Sequence, residues 1–185
     1  MGISALTRRA VFLDRDGTLN RAVVRNGKPH PPATAQELEI LPGVREGLGA
    51  LRAAGCLLIV VTNQPDVAKG TLTQATVDEI HARLVEALPI DEVLVCPHDD
   101  RTDCQCRKPK AGMVIDAARR HGIDLAASFM IGDRWRDIEA GRTAGCRTVF
   151  IDRHYNEALQ SEPDAVVTSF EDAAAWVLST MGTGS

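Results

Sequence analysis

The chain has 185 residues, of which 44% are apolar and 25% charged, and its net charge is −4. That length suits one domain with a substantial core, and an acidic balance without lysine or arginine runs argues against nucleic acid or a membrane surface as the main partner. No apolar stretch approaches membrane-spanning length, and the opening MGISALTRRA lacks the apolar core of a signal peptide, so a cytosolic protein is expected.

In chain order, Ala10–Leu13 reads as a buried strand that runs straight into Asp14-Arg15-Asp16-Gly17-Thr18. A long irregular stretch follows, Arg21–Leu41, punctuated by Pro29, Pro31 and Pro32; a loop of that length inside a compact domain is usually functional. Pro42 and Gly43 open a helix that carries Val44, Leu48 and Leu51 and stops at Gly55. The strand Leu57–Thr62 ends in Asn63 and Gln64. Val77, Ile80, Leu84, Val85 and Leu88 then form an apolar stripe at helical spacing, closed by Pro89, with His81 beside it as an ordinary helix-surface histidine. Next come a strand at Glu92–Cys96, a helix at Ala111–His121 and a strand at Phe129–Gly132 that runs into Asp133, Arg134 and Asp137. A helix at Arg136–Ala144, strands at Arg147–Ile151 and Ala165–Thr168, and a helix at Phe170–Met181 complete the order. One domain over 1–185 is expected, its core at roughly 10–178 and its ends, 1–8 and 182–185, frayed. Trp135 and Trp176 read as packing residues, Cys56 and Cys146 as small buried hydrophobes.

Strand and helix alternate, and most strands are nearly continuous in Val, Ile and Leu. This is the pattern of an α/β fold: a Rossmann-like, mainly parallel sheet with helices on both faces. In such sheets ligands bind beyond the carboxyl ends of the strands. Three of those ends carry polar groups here: Asp14 and Asp16; Thr62, Asn63 and Gln64; Asp133, Arg134 and Asp137. Asp14 and Asp16 lie two apart, so on extended backbone they point the same way. Clustered carboxylates suit magnesium, a hard cation that also binds substrate phosphate, and a carboxylate beside it can attack phosphorus and form an aspartyl-phosphate. An Asp-Gly pair alone is a common turn. A calcium hand loop is excluded, because the sixth and twelfth positions counted from Asp14 are Leu19 and Arg25.

The set DRDGTLN, VTNQ, CRKP and GDRWRD resembles the four motifs of the haloacid dehalogenase superfamily of phosphotransferases, in order, across roughly Ala10 to Val177. The resemblance implies a magnesium-dependent phosphomonoester hydrolase. Asp14 would be the nucleophile and Asp16 the general acid and base. Thr62 and Asn63 would bind the phosphoryl group, with Gln64 among the substrate contacts, and Lys108 would stabilise its charge. Magnesium would be held by Asp14, the Asp16 carbonyl and Asp133, with Asp137 close by.

Cys96, His98, Cys104 and Cys106 lie within eleven positions. Three thiolates and an imidazole make a closed, tetrahedral structural zinc set, favoured over a redox set or chance clustering. Zinc there would brace a short polar loop that ends at Arg107 and Lys108. The same pattern is similar to the branch of the superfamily that holds the heptose bisphosphate phosphatases and the histidinol-phosphate phosphatases.

The intervals between Asp16 and Thr62 and between Thr62 and Lys108 leave no room for a separate cap domain. An open, capless site is therefore expected, walled by Arg21–Leu41, Pro65–Thr71 and Pro97–Arg107. Arg25, Lys69 and Arg107 offer cations for a second phosphate, Arg107 foremost because its fork grips phosphate with two bonds, while Lys28 reads as solvated and Arg134 as a weaker candidate. The resemblance to the heptose branch, carried also by the LAASFMIGD stretch, with these cations for a second phosphate, implies D-glycero-D-manno-heptose 1,7-bisphosphate, losing its 7-phosphate, as the small-molecule substrate. Histidinol phosphate is the alternative, its amine met by Asp66, Asp99 or Asp100, and a nucleic-acid end phosphatase is a minor one, disfavoured by an aromatic share of 4%. PDVAKG, Pro65–Gly70, departs from the SGIARG expected of the heptose enzymes. No long apolar surface stripe asks for a partner, which is compatible with a monomer. His154 and Tyr155 carry no evident role in the sequence.

Overall fold

The computed structural model describes residues 8–26 and 28–182. Its elements are β1 (Ala10–Leu13), β2 (Val23–Arg25), β3 (Lys28–His30), a 3₁₀ turn (Ala35–Glu37), α1 (Val44–Ala53), β4 (Leu57–Asn63) and α2 (Gln74–Ala87), followed by β5 (Glu92–Cys96), α3 (Gly112–His121), β6 (Phe129–Gly132), α4 (Trp135–Ala144), β7 (Arg147–Ile151), β8 (Ala165–Val167) and α5 (Phe170–Gly182).

Six strands form one sheet in the order β5-β4-β1-β6-β7-β8, every pairing parallel. β1 is central, with β4 on one side and β6 on the other. The chain therefore leaves β1 in both directions, and the crevice at that switch is where a doubly wound sheet binds ligands.

Alternation along the strands builds a core on each face. Val11, Leu13, Leu58 and Val60 join Leu48 and Leu51 of α1, Leu84 of α2 and Phe170 and Ala174 of α5. Ala10, Phe12, Ile59 and Val61 join Met113, Val114 and Ala117 of α3. Burying each of the larger side chains contributes about 1.5–3 kcal/mol. Trp176 packs edge-on against Phe129, ring centroids 6.1 Å apart, and Cys56 and Cys146 are buried, as the sequence implies.

The helices start and stop for local reasons. The Thr73 hydroxyl accepts from the Thr76 N–H at 3.1 Å and caps α2. Asp137 reaches back to the Arg134 N–H at 3.0 Å and caps α4, while Gly122, at φ 64°, ends α3.

Three expectations are corrected. The stretch Arg21–Leu41 is not irregular throughout: β2 and β3 pair antiparallel, and the 3₁₀ turn follows. Its prolines hid the hairpin, since Pro29 pairs with Val24 in a two-stranded ribbon whose outer edge needs no donor. Val85 is 45% exposed and lies outside the apolar stripe, because Leu84 already takes the core-facing position of that turn. His81 is buried rather than on the helix surface.

Candidate active site

β1 ends in the reacting cluster. Asp14 continues the sheet for one more residue, its N–H donating to the Ile131 carbonyl at 3.0 Å. The chain then turns at Gly17, whose φ is +89° and where a Cβ would stand 1.8 Å from Asp133 Oδ2. Only glycine lets the first motif and the acid at the end of β6 come this close.

Lys108, 2% exposed, sits between two acids, its Nζ 2.6 Å from Asp14 Oδ1 and 2.6 Å from Asp137 Oδ1. Burial disfavours its charge, but the Asp137 and Asp14 charges outweigh that and hold its pKa above the ordinary lysine value. Burial likewise pushes Asp14 up to about 6, assisted by the Asp137 charge and opposed by Lys108. Asp133 is raised by burial and then by the charges of Asp14 and Asp137. Neither oxygen of Asp133 meets a well-aligned hydrogen-bond donor, although both are buried.

Asp14, Asp133 and Asp137 can each turn one oxygen to a common centre, these atoms lying within 4.8 Å of one another. Three buried carboxylates thus face one buried ammonium. That deficit of positive charge, which the Tyr155 hydroxyl and the Arg134 charge near Asp133 only moderate, fits a divalent hard cation.

Asp16 is held differently. Arg15 grips it with Nε to Oδ1 at 3.1 Å and Nη2 to Oδ2 at 2.8 Å, Asn20 Nδ2 donates to Oδ1 at 3.0 Å and Gln64 Nε2 to Oδ2 at 2.9 Å. Burial opposes its ionisation, yet the Arg15 charge and these donors hold its pKa below the usual carboxylate value. Gln64 is thereby engaged with Asp16 and, through the same nitrogen, with Thr62 Oγ1 at 2.9 Å. Both residues are 1% exposed. Asn63 clamps the backbone of Lys108 with both ends of its amide.

A cleft of about 260 Å³ opens above this cluster, with Asp14, Asp16, Asn63, Lys108 and Asp137 at its base. The three expected loops wall it through Pro29, His30 and Pro31, through Pro65, Asp66 and Lys69, and through Asp100 and Arg107. Arg107 donates to Asp100 Oδ1 at 2.9 Å and to the His98 carbonyl at 3.1 Å. Arg134 lines the cleft paired with Glu157. Arg136, unmarked in the sequence reading, also lines it, stacks 4.7 Å above the Trp135 ring and lies 3.5 Å from Asp100. Its signal was its place in the first turn of α4, three residues after the acid that follows β6. The side chains of Arg25 and Lys28 lie outside the described residues.

Behind Arg107 the cysteine and histidine set converges. Cys96 Sγ lies 3.1 Å from Cys106 Sγ and 3.7 Å from Cys104 Sγ, and His98 Nδ1 lies 3.3 Å from Cys106 and 3.6 Å from Cys96. Tetrahedral zinc with sulfur at about 2.3 Å spaces its ligands by about 3.8 Å, so the donor set has the right size and chemistry for that ion.

The region 105–173 matches the HAD-hydrolase-like family model. Over 157 residues the chain is 36% identical to a D-glycero-beta-D-manno-heptose-1,7-bisphosphate 7-phosphatase of Rhodopseudomonas palustris, covering 78% of this chain and 84% of that one. The chain belongs to the haloacid dehalogenase-like phosphatases. An Escherichia coli phosphatase of the same name is 33% identical over 184 residues, covering 93% of this chain and 89% of that one. Among solved structures of these phosphatases, the D,D-heptose 1,7-bisphosphate phosphatase from B. bronchiseptica, complexed with magnesium and phosphate, superposes with a TM-score of 0.81. It is 30% identical and covers 93% of this chain and 99% of that one. The phosphatase family thus accounts for the order of the four motifs and for the parallel sheet that positions them.

Proposed function

We propose that this chain is a single-domain, magnesium-dependent phosphatase that removes the 7-phosphate of D-glycero-D-manno-heptose 1,7-bisphosphate. The observation that carries the reading is the buried Lys108 ammonium between Asp14 and Asp137, with the buried Asp133 in the same acidic cluster, at the floor of an open cleft. Relatives that bear this substrate's name match over most of the chain.

In the first step an oxygen of Asp14 attacks phosphorus and the bond from phosphorus to the sugar oxygen breaks, while Asp16 gives that oxygen a proton. In the second, water gives a proton to Asp16 as its oxygen attacks phosphorus, the bond to Asp14 breaks, and inorganic phosphate departs. Lys108 and the Thr62 hydroxyl would stabilise the negative charge that gathers on the phosphoryl oxygens. Asp14, Asp133 and the Asp16 carbonyl would hold magnesium, with Asp137 fixing Lys108 beside them. When bound, magnesium offsets the repulsion between the Asp14 carboxylate and the phosphoryl oxygens. Cys96, His98, Cys104 and Cys106 would hold zinc, which fixes the loop that presents Arg107. A cytosolic location would keep these thiols reduced and free to bind the ion.

Arg107 and Arg136 share Asp100 at one wall, with Lys69 near, and supply the cationic side for the second phosphate. Histidinol phosphate is the second reading, favoured by Asp66, which also lines the cleft. Asp99 gives it little support, because that carboxylate is buried against Arg101 in its own loop. Comparing kcat/KM for both esters with magnesium present decides between them. A preference of at least about tenfold, equivalent to 1.4 kcal/mol, for the heptose bisphosphate is expected, and the reverse order would replace the substrate.

A further inference from the structure

Arg15 is fully buried, the largest such side chain among the described residues. A guanidinium carries five N–H donors and keeps its charge, so burying it requires acceptors. Two of its nitrogens hold Asp16, Nε at 3.1 Å and Nη2 at 2.8 Å. The third, Nη1, stands 2.7 Å from Nε2 of His81, whose ring is 8% exposed. Nη1 can only donate, so His81 accepts through Nε2 and is the neutral tautomer with its proton on Nδ1. His81 lies on α2, which contributes nothing to the cleft walls. Among the described residues, its hydrogen-bond link to the reacting centre runs through Arg15.

We propose that His81 is a positioning residue for proton transfer: it fixes the Arg15 guanidinium from behind and, through that fork, the Asp16 carboxylate at the edge of the cleft. This rests on the reading of Asp16 as the general acid and base. An apolar residue at 81 would leave Nη1 a buried donor without an acceptor. The guanidinium would then shift toward another acceptor, and a two-bonded fork carries its carboxylate with it.

Misplacing Asp16 has a selective consequence. As the Asp14–phosphorus bond forms and the bond to the leaving oxygen breaks, a sugar or other alkyl oxygen departs as a strong base and needs the Asp16 proton. A nitrophenolate departs without it. A residue that merely stabilises the fold would affect both esters alike.

The test is the rate of leaving-group release in a single turnover, with saturating magnesium, for heptose 1,7-bisphosphate and for para-nitrophenyl phosphate. Histidinol phosphate, also a primary alkyl ester, replaces the first if it is the better substrate. Asp16→Asn should lose about 100-fold or more on the alkyl ester and far less on the aryl one. His81→Leu should lose roughly tenfold on the alkyl ester and no more than about threefold on the aryl one, a fraction of that acid contribution. His81→Gln, whose amide oxygen can accept from Arg15, should recover most of the alkyl rate. Should His81→Leu not fold, Arg15→Lys, which keeps the charge without the fork, should show the same alkyl-selective loss. Equal losses on both esters, or none, in the folded position-81 or position-15 variant would overturn the proposal. Equal losses in Asp16→Asn would instead overturn the acid–base reading beneath it.

Discussion

The side chain of Asn63 grips both backbone groups of Lys108: its Oδ1 accepts from the Lys108 N–H at 3.0 Å and its Nδ2 donates to the Lys108 carbonyl at 2.9 Å. The end of β4 thereby fixes a lysine that approaches from a loop far along the chain. Asn63→Ala should cost about 1–3 kcal/mol for the polar groups left without partners. It should also lower kcat, since the ammonium loses its register with Asp14. Urea unfolding and steady-state kinetics check both, and an unchanged kcat would show that Lys108 needs no such clamp.

Removing the charge at Lys108 tests the balance of the cluster. In Lys108→Met three buried carboxylates lose their one ammonium, so the protein in chelator should be less stable by about 3–5 kcal/mol, and magnesium should restore more stability to the variant than to the parent. Turnover should fall about 10²–10³-fold, as when a preorganised donor to developing charge is lost. Melting with and without magnesium, beside kcat, provides the readout.

His81 makes stability depend on pH. Burial first, then the Arg15 charge, lowers its pKa from 6.5 to about 4, while Asp16 and Asp78 pull the other way. The unfolded chain therefore binds the proton more tightly than the fold does, and this histidine's contribution is lost as pH falls from about 6.5 toward 4. Between pH 7 and pH 5 the loss should reach up to about 2 kcal/mol. In His81→Gln the pH dependence of unfolding free energy should be flatter by that amount, and identical slopes for both proteins would contradict the burial of a neutral histidine.

The thiol cluster predicts a metal. Protein purified without chelator should carry close to one zinc per chain. Cys106→Ser should lose it and raise KM more than it lowers kcat, because Arg107 hangs from the His98 carbonyl of that loop. Elemental analysis beside kinetics is the check, and full activity in zinc-free protein would remove the loop's bracing role.

Much of this was legible in the residues. Runs such as Ala10–Leu13 and Leu57–Thr62, doubly buried, announced a parallel sheet, and the acids and amides directly after them marked the cleft floor. Pairings between distant segments were not legible. Nothing local says that His81 turns inward, because a histidine beside an apolar stripe fits solvent equally well until a buried guanidinium is known to lie opposite. Arg107 and Arg134 read as free cations, yet Asp100, seven residues back in the same loop, and Glu157, from the stretch after β7, already neutralise them in part. The hairpin of β2 and β3 was masked by proline, whose usual meaning is irregular chain.

The central claim is that Asp14 takes the phosphoryl group. Rapid acid quench during turnover of phosphorus-labelled substrate, followed by peptide mass spectrometry, tests it most directly. Label should appear on the peptide that contains Asp14, should be released by hydroxylamine as an acyl phosphate is, and should vanish in Asp14→Asn together with turnover. Label on another residue, or an Asp14→Asn protein that still turns over at the parent rate, would contradict the account.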